Sequence, residues 1–532
     1  MRPIEGMRYA VLPGEGACRT CLQQQVIDTD RFMFRTGNPL NAVSANRTNP
    51  FFARALQAAS KCGFAGGLSI SKGSLSTRSA RSTCRHVQTG SDEAVTSARY
   101  RAKKLPDFFT AARETDFISP VHATIGTFID YDVSGLATAK SSGFMIRYSG
   151  SDSFTRPWGG HCENFNDATR LGILEGIERV ACESPAPEQV AVDAEDFAET
   201  IGLEKFGIDI GPWKTAQPKV RAWTRGWALG EREPGFLGRE VALPERLVYF
   251  APTADTEPWV QDSSNGCAVG GTDSEAILFG LLEAVERDAF LAAWYGGLEL
   301  SPIAPESIQN DVSNSYLQRL ALNGVQVVLL DATVGIQIPT VVAVCEEPGG
   351  STCVGAGCHP DPERALKSAL IEVASDFQVV AAHREQRREE LKAMLADYSL
   401  VRVMEDHADM FAHPDARGLI SRWRHPRKRQ ISLDTLKRAG NADRSVESDL
   451  RFSIKQCREA GFEPIACELT DGLARAVGAH VWKVDVPGLI PIDFGRYQRV
   501  YSMSRLEDVA RAFGDLPAGA KFQPVTIPHP FP

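Results

Sequence analysis

Two stretches of the chain, GILEGIERVA (residues 172–181) and GLLEAVERDA (residues 280–289), agree at six of ten positions and share the core L-E-x-x-E-R. Such a chain must fold so that two helices, each carrying two carboxylates and an arginine, are both accommodated. Acids at i and i+3 repel by roughly 0.2–0.5 kcal/mol on an exposed helix, and by more when desolvated. The second copy has a legible start: Thr272-Asp273-Ser274-Glu275 fits the S/T-x-x-E pattern, which predicts Thr272 as the N-cap. At about 100° per residue, Glu286 lies near 20° from Glu275 and Glu283 near 80°. Three carboxylates therefore share about a quarter turn flanked by Arg287, while Ile277, Leu281, Leu282 and Val285 remain free to face a core. Either the acids form a solvated face balanced by Arg179 and Arg287, or the two helices bring their acidic faces together around a cation. Hard oxygen ligands in that number suit Mg²⁺, which is commonly shared with the phosphates of a substrate.

The bulk numbers bound the answer. At 532 residues the chain is expected to form roughly two to four domains, or one large domain with an appendage. A net charge of −9 gives nucleic acid no foothold as the main partner. The basic run RWRHPRKRQ (422–430) reads as a solvated loop, with docking of an acidic peptide as the alternative. No charged-apolar-small secretory pattern opens the sequence, and no run of 18 or more apolar residues could span a bilayer. Twelve cysteines scattered without a framework fit a reducing compartment, so the expected location is the cytoplasm.

Along the chain, residues 1–116 are rich in Ser, Thr, Arg and Gly and read as a small N-terminal domain. Residues 117–532 read as the main unit. Cys18 and Cys21 make one C-x-x-C pair without a second, so unpaired thiols are preferred there to a structural Zn²⁺ site. From about Phe117, strand-like and helix-like segments alternate, which predicts an α/β or α+β fold. The apolar region 324–345 is broken by Asp331 and Pro339 and reads as two strands with a turn between. WGGHCENFNDA (158–168) and VGAGCHPDPER (354–364), which carry His161, Cys358 and His359, read as glycine-rich loops feeding helices, and the charged stretch 385–450 as peripheral helices and loops.

Three ordered motifs then carry a family resemblance. SSNGCAVGGTDSEAILFGLLEAVERDAF (263–290) resembles the central motif of YcaO-domain proteins, DATRLGILEGIERVA (167–181) their first ATP motif, and GAGCHPDPERALKSALIEVAS (355–375) their third. The similarity runs from about residue 117 to the C-terminus. It implies the YcaO fold, with mixed sheets and packed helices around an ATP/Mg²⁺ cavity. It also implies ATP-dependent activation of peptide backbone amides. In the azoline-forming cyclodehydratase branch, Cys, Ser or Thr of a ribosomal precursor peptide becomes thiazoline or oxazoline, as in the synthesis of azole-modified microcins. By the same resemblance, Glu175, Glu178, Glu275, Glu283, Glu286, Arg287 and Glu372 would bind nucleotide and metal, with Mg²⁺ on Glu175, Glu178, Glu283, Glu286 and Glu372. The ending PHPFP resembles the P-x-P-x-P terminus of these enzymes and assigns Pro528, Pro530 and Pro532 to the catalytic machinery. Proline fixes φ and leaves such a tail little entropy to lose on docking. Its removal is expected to cripple turnover while sparing ATP binding. YAVLPGEGACRTCLQQQ (9–25) resembles part of an E1-like, leader-binding partner protein. The implied partners are a precursor peptide, an E1-like or leader-binding protein, a flavin dehydrogenase and a second copy of the chain, without nucleic acid or membrane.

The match has gaps. Leu171 stands where the family places serine, Gly271 where it places asparagine, Ser368 where it places arginine and Ser375 where it places glutamine. His161, Arg170 and Lys367 are the sequence's available substitutes for the missing contacts. An ATP-degenerate subunit that binds precursor peptide or scaffolds a synthetase is therefore the alternative reading. Thioamide or amidine formation is a further amide-activating possibility.

Overall fold

The computed structural model describes most residues from 104 onward and, before that, only four short strands (2–3, 9–12, 66–71 and 74–79) as backbone. Outside the described residues lie the rest of 1–103, several short stretches between 111 and 136, 150–151, 184–189, 192–196, 207–219, 231–235, 251–262, 438–444, 493, 496–502, 517–518 and Pro532. The cysteines of the C-x-x-C pair, Cys18 and Cys21, fall among them, as does the E1-like segment apart from its first strand.

The fold is α/β with antiparallel sheets, as the alternation of segments predicts. β1 (Ala139–Ser149) and β2 (Asp152–Cys162) form a hairpin, joined on one edge by residues 130–132, and α1 (Phe165–Ala181) packs across it. A larger sheet runs in the order β4 (Leu237–Pro244), β3 (Trp223–Leu229), β9 (Ile465–Glu468), β10 (His480–Asp485), β5 (Cys267–Gly270). β6 (Gln326–Asp331), β7 (Thr340–Glu346) and β8 (Thr352–Cys358) form a meander against which α3 (Pro362–Gln386) lies. The two strands read from the apolar region 324–345 are β6 and β7, paired in register from Gln326 opposite Glu346 to Asp331 opposite Val341.

Between these layers runs α2 (Asp273–Tyr295), which touches β5, β10 and β8. Its Thr272 N-cap accepts the Glu275 amide at 3.2 Å, as the sequence predicts. The Glu275 carboxylate takes the Gly271 amide at 2.7 Å instead of closing the box on Thr272. Eighteen of its 23 residues are buried, so it serves two cores at once: Ile277, Leu281, Leu282 and Val285 in one, Phe290 to Tyr295 in the other. The five that are not fully buried are Asp273, Phe279, Glu283, Glu286 and Arg287.

The glycine-rich segments are strands rather than loops, and the reason is steric. A Cβ on Gly160 would sit 2.0 Å from the Ala168 carbonyl and 2.4 Å from the Gly172 amide of α1. A Cβ on Gly357 would sit 2.0 Å from the Ala365 carbonyl of α3. Glycine here removes the spacing that a side chain would impose between strand and helix. His161 therefore lies on β2, and Cys358 ends β8.

The stretch 385–450 is less peripheral than its charge suggests. Leu391, Met394, Met410, Phe411 and Trp423 join the largest core. The basic run opens as a helical turn (Ser421–Arg424) in which Trp423 is fully buried. Arg422 donates to the Trp294 carbonyl at 2.7 Å and lies 4.4 Å above that ring.

These groups floor a slot for the C-terminal tail. The Val525 amide donates to the Tyr295 carbonyl at 2.8 Å, and Trp294 Nε1 donates to the Ile527 carbonyl at 2.9 Å. His407 completes the slot: its Nε2 accepts the Gly495 amide at 3.0 Å, which leaves Nδ1–H to donate to the His529 carbonyl at 3.1 Å. Pro528, His529, Pro530 and Phe531 are buried.

Two predictions follow from packing. Gly160→Ala should cost about 2–3 kcal/mol through forced separation of β2 from α1, read as a lower urea midpoint at unchanged slope. Burial lowers His407 to a pKa of about 4, since protonating Nε2 would also turn it against the Gly495 amide. The unfolded chain takes up that proton near pH 6.5, so stability is full above that value. It should fall by roughly 3 kcal/mol as pH drops towards 4. Thermal melts from pH 7 to 4.5 should show this slope, and His407→Gln should flatten it.

Candidate active site

The acidic helix faces do not look outward. The side chains of Glu286, Arg287 and Glu178 are 13%, 16% and 12% exposed, values that exclude a solvated face. Each copy is set by the same local device. The Gly159 amide of β2 donates to Glu175 Oε2 at 2.9 Å, and Arg179, one turn on, donates to Oε1 at 2.7 Å. In α2 the Gly266 amide donates to Glu283 Oε2 at 3.1 Å, with Arg287 Nη2 3.5 Å from Oε1.

A third copy, not visible as a repeat in the letters, completes the pattern. The Ala356 amide of β8 donates to Glu372 Oε2 at 2.8 Å. In all three cases the amide lies 16 or 17 residues before its glutamate. Where the first two copies carry arginine at i+4, the third carries Asp376, and the cation comes from another element: Lys140 of β1, 2.9 Å away. A glycine-bearing strand about 16 residues before an acid on a helix was the signal that could have found it.

The carboxylates form a continuous row. Glu178 feels the charges of Glu175 and Glu283, Glu286 that of Glu283, and Glu372 that of Glu286. Burial, reinforced by these neighbours and opposed by Arg179, pushes Glu178 well above the usual carboxylate range. Burial likewise raises Glu286 to about 7, opposed by Arg287, and Glu372 to about 8, helped by Glu286. A site that holds acids this far from their ordinary ionisation is short of positive charge. Arg287 has the complementary shortage: its buried Nε and Nη1 make no hydrogen bond.

Beside the row lies a cavity of about 290 Å³ lined by Glu175, Glu178, Glu275, His161, Gly160 and Phe279, with Leu105 and Phe108 reaching in from ahead of residue 117. Among the described residues no three His, Cys, Asp or Glu side chains are close enough to hold a metal ion by themselves. The row therefore is not a closed cage. Mg²⁺ is ordinarily held by one or two carboxylates together with substrate phosphates, and this donor set fits that mode.

Of the sequence's substitutes for missing contacts, only His161 faces the cavity, with its pKa lowered by burial. Arg170 is paired with Glu114 and Asp167, and Lys367 with Glu163. Leu171 is on the cavity wall, and Ser375 donates to Asp376 Oδ1. His359 accepts the Asp361 amide and so organises the turn into α3. All eight described cysteines are free and buried. No helix among the described residues is long and apolar enough to cross a membrane.

Comparison with known proteins places this geometry. Among solved structures, a heterocyclase in complex with substrate and cofactor superposes with a TM-score of 0.70 at 19% identity, covering 98% of this chain and 75% of the other. The heterocyclase TruD gives 0.60 at 18%, covering 98% and 72%. YcaO from Methanopyrus kandleri bound with AMPPCP and Mg²⁺ gives 0.51 at 22%, covering 69% and 86%. An uncharacterised protein of Methanothermobacter thermautotrophicus is 27% identical over 354 residues, spanning 65% of this chain and 84% of its own length. An uncharacterised protein from the tfuA 3′ region of Rhizobium leguminosarum bv. trifolii is 36% identical over 162 residues, 28% of this chain and 38% of its own. The family model described as "YcaO cyclodehydratase, ATP-ad Mg2+-binding" matches residues 159–490, and the chain belongs to that family.

Proposed function

We propose that this chain is an ATP-dependent cyclodehydratase that converts Cys, Ser or Thr of a ribosomal precursor peptide to an azoline, with the row from Glu175 to Glu372 as its nucleotide and metal site. The observation that carries the site is the threefold device. Three helices each turn one glutamate to a backbone amide, and the three glutamates belong to one electrostatically linked row. Glu175, Glu178, Glu283, Glu286 and Glu372 would hold Mg²⁺, Glu275 would face the nucleotide across the cavity, and Arg287 would give its unbonded N–H groups to phosphate oxygen. ATP–Mg²⁺ supplies the phosphoryl group that turns an amide oxygen into a leaving group. The substrate's own thiol or hydroxyl adds to the carbonyl carbon, and the oxygen departs as phosphate. The chain's part is positioning and charge compensation, which is what phosphoryl transfer chiefly asks of a protein.

The buried Pro528 and Pro530 support a role for the tail, with Pro532 belonging to the same segment. We assign the peptide to the cavity side of α2 and its presentation to a leader-binding partner. A second copy of this chain and a flavin dehydrogenase complete the proposed assembly. The unit 117–532 is proposed to act in the cytoplasm behind a small N-terminal domain, 1–116. The ATP-degenerate reading is favoured by one observation, the apolar Leu171 on the cavity wall.

Calorimetry separates the two. Mg-ATP should bind with measurable heat, and absence of heat with and without peptide would select the degenerate reading. Glu283→Gln and Glu286→Gln should each weaken Mg²⁺-dependent ATP binding at least about tenfold and suppress peptide-stimulated phosphate release. Unchanged release in both would remove the site assignment.

A further inference from the structure

Phe531 is 1% exposed, and its ring centroid lies 4.7 Å from that of Phe290 in an edge contact. The Arg287 guanidinium carbon stands 4.0 Å above the same Phe531 ring. Arg287 lies 3.5 Å from Glu283 and 3.8 Å from Glu286, both long for hydrogen bonds. The guanidinium is thus in contact with the ring on one face while standing at ion-pair distance from the two carboxylates. The tail is pinned by one main-chain bond to Tyr295 and by the Trp294 indole on the same helix, so the ring has a defined place.

We infer that Phe531 is a positioning residue that holds Arg287 off Glu283 and Glu286, keeping those carboxylates open to a divalent cation and the guanidinium open to an anion. Without the ring, the guanidinium loses this contact and can close into a bidentate Arg–carboxylate pair, which is the geometry arginine favours. Arg287 would then compete with the cation for the same oxygens. This assigns the tail a second role beyond placing its terminal prolines: removal of residues through Phe531 disturbs metal and nucleotide binding, contrary to the expectation from resemblance that truncation spares it. The inference rests on the nucleotide site proposed above, and the test separates the two.

Phe531→Leu keeps an apolar side chain but removes the π face, and Phe531→Tyr keeps both ring and face. In calorimetric titrations of Mg-ATP at graded Mg²⁺, the leucine variant should need about five- to tenfold more Mg²⁺ for the same occupancy. The tyrosine variant should stay near wild type. In an Arg287→Lys background the leucine penalty should vanish, as expected for residues acting through one contact. A crystal structure of the leucine variant should place the guanidinium within hydrogen-bonding distance of both carboxylates. Equal Mg²⁺ dependence of the leucine and wild-type proteins, full additivity with Arg287→Lys, or an unmoved Arg287 in the crystal would each overturn the inference. Should leucine unfold the slot, Phe531→Met is read by the same criteria. If the wild type itself gives no heat, the nucleotide reading fails, while the crystal structure still decides what Phe531 does.

Discussion

A backbone amide bonded to a glutamate carboxylate, repeated at Gly159–Glu175, Gly266–Glu283 and Ala356–Glu372, sets the site. Glutamate has three side-chain torsions and would otherwise search them. One charge-assisted bond from a strand fixes the carboxylate while leaving lone pairs for another ligand. The bond requires helix and strand to approach closely, and the glycines of β2 and β8 permit that approach. The acids and the glycines are therefore one device, and neither half is interpretable alone.

Because the amide comes from a strand or, at Gly266, from the residue just before one, and the acid from a helix, the site inherits the rigidity of the packing beneath it. α2 makes this plain. It is buried along nearly its whole length by two separate cores, and of its five less-buried positions Glu283 and Glu286 lie within electrostatic reach of the acids of α1 and α3. The same helix presents Trp294 and Tyr295 to the C-terminal tail. Through Arg287 and Phe531 the last residues of the chain come into contact with the acidic row in its middle.

Much of this was legible in the letters, and the limits are physical. The Thr272 cap and the burial of Ile277, Leu281, Leu282 and Val285 follow from local rules of capping and periodicity, and both are observed. The pairing of β6 and β7 likewise followed from a turn between apolar runs. The strands holding Gly159, Gly160, Gly355 and Gly357 were not legible, because glycine lowers strand propensity and only a helix packed against it repays the loss. Trp423 and Arg422 sit in a run whose charge suggests water, yet one indole and one arginine stem fill a core position. Glu372 could be named only by resemblance. The cation of the third copy, Lys140, pairs with Asp376 from 236 residues away, a distance at which periodicity carries no information.

The third copy's departure from the first two bears on charge. With Asp376 neutralised by Lys140, the row and the cavity wall carry Glu175, Glu178, Glu275, Glu283, Glu286 and Glu372, and the arginines paired with them among the described residues are Arg179 and Arg287. An arginine in place of Asp376 would have moved the balance towards neutrality and offered Glu372 a competing partner. The chain instead spends its lysine on the aspartate and leaves Glu372 raised to about 8 by burial and by Glu286. A fold that wanted only a stable interior would not gather these groups, since unpaired buried acids lower stability. Their arrangement is coherent if the missing positive charge arrives as a divalent cation, which would restore the ionised form of Glu178, Glu286 and Glu372 on binding.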